Sequence, residues 1–210
     1  MILGADKKQA GLARDILVWI SSSTEPVTCE EVHDASTFKQ SFQEGHRFKD
    51  FTETVMAVCG GLVEWYGPKA NPFIRFIHLS VKGHFERSHE KEQTWQKNPL
   101  CIPPEPVASS LLLQTCLEYL AYYAPHVQPK SYTDAILKDS SIGTLAGYAS
   151  ASWTKHISHV IMVTRPGTRE GIARYQRILC DVFGAVLRFI QDHLLVRHWI
   201  EIRYRYGTKD

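Results

Sequence analysis

The chain has 210 residues, 44% apolar and 22% charged, enough apolar content for one or two domains with a proper core. A formal net charge of +2 speaks against a dedicated polyanion binder, which is normally strongly basic. No apolar run approaches the roughly 18 residues of a membrane span, and MILGADKKQ lacks a signal-peptide apolar core, which points to the cytoplasm or nucleus and to no membrane partner.

Gly11–Ile20 places Leu12, Ile16, Trp19 and Ile20 on one helical face, and Ser21–Thr24 ends that helix. Thr28 with Glu31 three residues on is a capping box, and Val27 with Val32 sits where a hydrophobic staple would be. A short helix from Cys29 to about Ser36 follows, and the polar stretch Thr37–Lys49 reads as a loop. Phe51–Cys59 gives a third helix, with Val55, Met56, Val58 and Cys59 offered to a core. Gly60 and Gly61 stop it, because glycine tolerates the left-handed backbone that closes a helix.

Two apolar runs, Leu62–Trp65 and Phe73–Ile77, flank a turn-rich stretch with Gly67, Pro68, Asn71 and Pro72, which predicts a β-hairpin with a long loop. Trp65, Phe76 and His78 belong to this wing. A further helix spans about Ser80 to Arg87. Helix, hairpin, helix is how a winged-helix domain closes. The fold class expected is mainly α: a winged-helix domain over residues 1–90, a charged and proline-rich linker or exposed loop over 91–106, and an all-helical extension over 107–210. Helices are predicted there over Val107–Tyr123, Ile142–Ile157, Thr168 (as N-cap) to about Gln191, and Leu194 to Tyr206. Ala124–Ser141 and Arg165–Gly167 read as breaks.

The chemistry in the chain is sparse. There is no nucleophile elbow, and Cys59 beside Gly60 reads as a buried thiol at the last helical turn. The five cysteines form no C-x-x-C pair and are expected to be reduced and mostly buried. His156 with His159, and His193 with His198, lack a convincing third ligand for a metal. A helix carrying ETVMAVC offers no Arg, Lys, Asn or Gln to base edges, and charges at Lys69, Arg75 and Lys82 around the wing read as a solvated face, so nucleic acid is disfavoured as a partner. The arginines from Arg165 onward read as the wet faces of helices, or as a docking surface for an acidic partner domain.

Several segments resemble one family in the right order. ARDILVWISSSTEPVTCEEVHDA, VCGGLVEW and IRFIHLSVKGHFERS are similar to the winged-helix region of fungal NACHT proteins, which are STAND NTPases related to NOD-like receptors. LLLQTCLEYL and LAGYASASWTKHI resemble helical segments that follow it, and VLRFIQDHLLVRHWIEIRYRYG resembles the helical pair that often precedes ankyrin or WD repeats. The same winged-helix module is sometimes named after an inositol deacylase, a label that implies no hydrolase activity.

The resemblance implies a non-catalytic regulatory module with no cofactor of its own. Its partners would be a nucleotide-binding NACHT domain, in cis or in trans, and a C-terminal repeat domain. A wing-region histidine contacts nucleotide phosphate in related receptors, and by position His78 is the candidate for that contact if a NACHT domain is present. No G-x-x-x-x-G-K-[ST] loop occurs in the chain, which therefore reads as the middle of a larger receptor or a truncated product. The alternative is a free-standing DNA-binding winged-helix protein.

Overall fold

A computed structural model describes residues 7–41, 50–87, 101–123, 143–163 and 169–206. The chain forms two compact units, Met1–Pro104 and Glu105–Asp210. It is mainly helical, with eight helices and a small two-stranded antiparallel sheet among the described residues.

In the first unit, α1 (Lys7–Ser22) extends beyond the predicted span at both ends. Leu12, Ile16 and Trp19 are buried as their spacing requires, joined by Ala13, Leu17 and Val18. The Ser23 N–H donates to the Trp19 carbonyl and closes the last turn.

The capping box forms reciprocally at the start of α2 (Cys29–Ser41). The Thr28 N–H donates to Glu31 Oε2 at 2.8 Å, and the Glu31 N–H donates to Thr28 Oγ1 at 3.2 Å. Both residues are buried, and so are Val27 and Val32 of the staple. A buried cap is costly to break, because the orphaned N–H has no water to turn to. Thr28→Ala is therefore expected to lower stability by about 1–2 kcal/mol, with Thr28→Ser retaining most of it. Urea denaturation of the two variants checks this; equal loss in both would remove the hydroxyl as the cause.

Helix α2 continues through Ser41, so residues 37–41 are helical and not the start of a loop. Ala35 and Phe38 are buried and extend the Val32 face by one more turn, which outweighs the polar residues between them. Residues 42–49 lie outside the described residues.

Helix α3 (Phe51–Cys59) has the predicted bounds. Asp50 caps it, its Oδ1 accepting from the Glu53 N–H at 3.0 Å. Gly60 is left-handed at φ 59° and donates its N–H to the Met56 carbonyl, and Gly61 follows at φ 77°. Phe51, Val55, Val58 and Cys59 are buried, but Met56 is exposed. Met56 lies one residue, about 100° of helix rotation, off the Val55–Val58–Cys59 face.

Strands β1 (Val63–Tyr66) and β2 (Phe73–Phe76) pair antiparallel, with Val63 opposite Phe76 and Tyr66 opposite Phe73. Val63, Ile74 and Phe76 are buried and Trp65 is half-buried. The alternate face carries Glu64, Tyr66 and Arg75, where Arg75 Nε sits 2.8 Å from Glu64 Oε1 and the guanidinium lies 4.5 Å over the Tyr66 ring. Gly67 turns the chain at φ 87°; a Cβ there would come within 3.0 Å of Phe73 Cδ2, so only glycine fits without displacing the ring.

The hairpin has a third participant. Thr28 bridges antiparallel to Phe73. The Cys29 N–H donates to the Pro72 carbonyl at 2.9 Å, and the Ile74 N–H donates to the Val27 carbonyl at 3.0 Å. Val27–Cys29 thus runs beside β2 and opens α2 at once. Helix α4 (Leu79–Arg87) completes the described part of this region, with Phe85 against Phe76 at 6.3 Å between ring centroids.

The division between the units falls inside the 91–106 stretch. Cys101 and Ile102 are buried, unlike an exposed loop, and Glu105 and Pro106 already belong to a helix. Proline is tolerated in a first helical turn, where its missing N–H has no partner to lose.

The second unit is helical throughout its described residues: α5 (Glu105–Tyr123), α6 (Gly143–Val163), α7 (Arg169–Gln191) and α8 (His193–Tyr206). Helices α5 and α6 pair most extensively, and α7 and α8 both pack on them. Leu112, Leu113, Cys116, Leu120, Leu145, Ala149 and Trp153 fill the core. Asp192 ends α7 and caps α8, its Oδ1 accepting from the Leu194 and Leu195 N–H groups.

Two faces differ from the apolar spacing. On α6, His156 is buried where Ile157 was expected, and Ile157 is half-covered. On α7, Val182 and Phe189 are buried while Phe183 and Ile190 are exposed. The apolar arc of α7 is wider than the face its neighbours cover. The expected breaks over 124–141 and 165–167, and the N-cap at Thr168, lie outside the described residues.

Candidate functional site

His78 sits between the end of β2 and the first residue of α4. Its Nδ1 accepts the Ser80 N–H at 3.1 Å and lies 2.8 Å from Ser80 Oγ, which makes the imidazole the N-cap of α4. An Nδ1 that accepts leaves the proton on Nε2, so the outward edge of the ring is a donor. The flanking residues are apolar and outward: Ile77 is 53% exposed and Leu79 83%. The Ile77 N–H is tied to the Leu62 carbonyl at 3.0 Å, which fixes this corner to the base of the hairpin.

The other residues singled out in the sequence are spread through the first unit. Thr28 and Glu31 form the cap of α2, Gly60 and Gly61 the stop of α3, and Trp65 and Phe76 opposite strands of the hairpin. Their geometry is that of a frame holding the corner in place.

The cysteines are all free thiols. Cys29, Cys59, Cys101 and Cys116 are buried, whereas Cys180 is exposed. Burial pushes the Cys59 thiol up to about 12 and raises Cys116 further, so neither is a thiolate nucleophile near neutral pH.

His156 and His159 do not converge. His156 Nε2 shares a hydrogen bond with the Tyr148 hydroxyl at 2.9 Å inside the core. His159 Nε2 instead lies 2.8 Å from Glu105 Oε1 at the start of α5. Among the described residues no group of three or more His, Cys, Asp and Glu side chains is placed to hold a metal ion. Among them also, no helix is long and apolar enough to cross a membrane.

Sequence reasoning missed two polar features. Asp50 with Glu53 three residues on carried a cap signal that the reading of the preceding stretch as loop obscured. The Tyr148–His156 bond joins residues two helical turns apart, a spacing at which apolar pairs are normally counted and polar ones are not. Compared with protein-family models, curated proteins and solved structures, the chain matches none.

Proposed function

We propose that this chain is a non-catalytic regulatory module of a NACHT protein of the NOD-like receptor type. A winged-helix domain packs on a nucleotide-binding domain and relays its state, through the helical extension, to C-terminal repeats. The observation that carries this reading is the corner Ile77-His78-Leu79, where two exposed apolar side chains flank a ring with a donor edge. Apolar side chains this exposed beside a fixed polar group suit a protein surface that docks, with the imidazole able to meet a phosphate oxygen. The order of elements supports the winged-helix part: helix, a strand-like residue run at Val27–Cys29, two helices, then a hairpin pairing with that run.

The outward positions of α3 are Thr52, Glu53, Met56 and Ala57. They bring one acid and no cation to the surface that a winged helix turns to DNA, which disfavours the DNA-binding alternative. A module of the proposed kind contributes coupling free energy between two states of its partner and performs no chemistry itself.

The native size of the protein tests the reading. An immunoblot of host lysate with an antibody to residues 107–157 is expected to give a band far above the 23.9 kDa of this chain. A single band at the chain's own size would sink the intramolecular role. A gel shift on random duplex DNA would then decide whether salt-sensitive, sub-micromolar binding takes its place.

A further inference from the structure

Helices α5 and α6 run antiparallel, because Glu105 at the start of α5 meets His159 near the end of α6 at 2.8 Å and the two helices pack extensively. That contact also fixes which stripes face each other. Ser109 lies one turn on from Glu105, on the same side of α5. His156 and Ser152 lie three and seven residues back from His159, on the same side of α6. The three residues therefore converge beneath the Glu105–His159 contact, inside the helix pair. Ser109 is 1% exposed, and Ser152 and His156 are 0% exposed.

Their polar atoms stand out from the rest of this interface. Ser109 Oγ, Ser152 Oγ and His156 Nδ1 have no hydrogen-bond partner among the described residues. Hydroxyls inside helices commonly bond the carbonyl four residues back, as Thr115 and Ser158 do, but Ser109 and Ser152 do not. The other ring nitrogen of His156 is engaged by the Tyr148 hydroxyl at 2.9 Å, which leaves Nδ1 on the opposite edge of the ring. Left dry, each of the three atoms would carry its full desolvation cost. They do not bond one another either, so they stand beyond direct reach across the facing stripes. The residues beside them are small: Ala108 precedes Ser109, and Ala149 lies one turn before Ser152, both fully or nearly fully buried. Polar groups so spaced, between small side chains, are bridged by water.

We propose that the α5–α6 interface holds one internal water molecule, bonded to Ser109 Oγ, Ser152 Oγ and His156 Nδ1. Three partners is the usual number for a buried water. Water both donates and accepts, as does each hydroxyl, so the site is satisfied with the ring proton on either nitrogen. A metal ion does not suit the set, because the carboxylate on these stripes, Glu105, is engaged by His159.

A high-resolution crystal structure of the full chain tests the proposal. One ordered peak is expected within about 2.6–3.2 Å of all three atoms. A peak that misses any of the three overturns it. So does an interface without a peak, with both hydroxyls turned to the carbonyls four residues back. Oxygen-17 magnetic relaxation dispersion gives a second measurement in solution, because it counts long-lived internal waters. Ser109→Ala combined with Ser152→Ala removes two of the three partners and places strong helix formers in both helices. The double variant should hold one long-lived water fewer than the unaltered chain, and equal counts overturn the site. If that variant fails to fold, the crystal structure of the unaltered chain still decides.

Discussion

Trp153→Ala is expected to destabilise the helical unit by about 3–5 kcal/mol, the range for truncating a large buried aromatic. Trp153 on α6 meets Phe189 of α7 at 5.7 Å and Trp199 of α8 edge-on at 5.3 Å, ring centroid to ring centroid. It is the side chain through which three helices meet. Trp199 is held in turn by its Nε1–H, which donates to the Ser150 carbonyl at 2.9 Å. Removing the indole leaves a cavity walled by two rings whose backbones are fixed by other contacts, so collapse can recover little. Trp153→Phe, which keeps one ring in the gap, should cost clearly less. Guanidinium unfolding followed by far-UV circular dichroism measures both. A loss below about 1 kcal/mol for Trp153→Ala would mean that the three helices are held elsewhere.

Acid should weaken the same unit well before general acid denaturation. Burial lowers the pKa of His156 from an ordinary 6.5 to about 4, with the charge of nearby His159 adding to the effect. Inside the core the Tyr148 hydroxyl pairs with Nε2 of the ring, and among the described residues Nδ1 has no hydrogen-bond partner. A protonated ring would carry two N–H donors into that space. The unfolded chain accepts the proton first as pH falls, so stability is fully present above about pH 6.5 and is lost progressively toward pH 4. Between pH 7.5 and 5 the loss should be about 2 kcal/mol. His156→Met should flatten the profile over that window, whatever it does to stability at neutral pH. Urea midpoints at half-unit intervals give the comparison. A wild-type profile that is flat from pH 7.5 to 5 would show that the ring charges elsewhere than in the core.

Local features were legible because their causes are local. The capping box needs only Thr28 and Glu31 three residues apart, and the stop of α3 needs only a residue at ease with positive φ. The hairpin followed from two alternating runs, and its strands lie within one residue of the predicted positions. What stayed hidden depends on neighbours distant in sequence. Val27–Cys29 has too few residues to look like a strand until β2 lies beside it. On α7 the apolar positions span more of the helix than any neighbour covers, and periodicity does not say which flank stays bare. His78 was visible as a position in the wing, but its role as the cap of α4 depends on a ring nitrogen meeting the Ser80 N–H.

The run Val27–Cys29 also bears on the order in which the first unit is made. The pairing of Thr28 with Phe73 closes a long stretch of chain that contains both α2 and α3. Loop closure of that size is paid in entropy before its hydrogen bonds return anything, so it comes late. The sheet edge and the start of α2 share the same three residues. Neither can therefore loosen alone, and opening of the hairpin carries the first turn of α2 with it as one cooperative step.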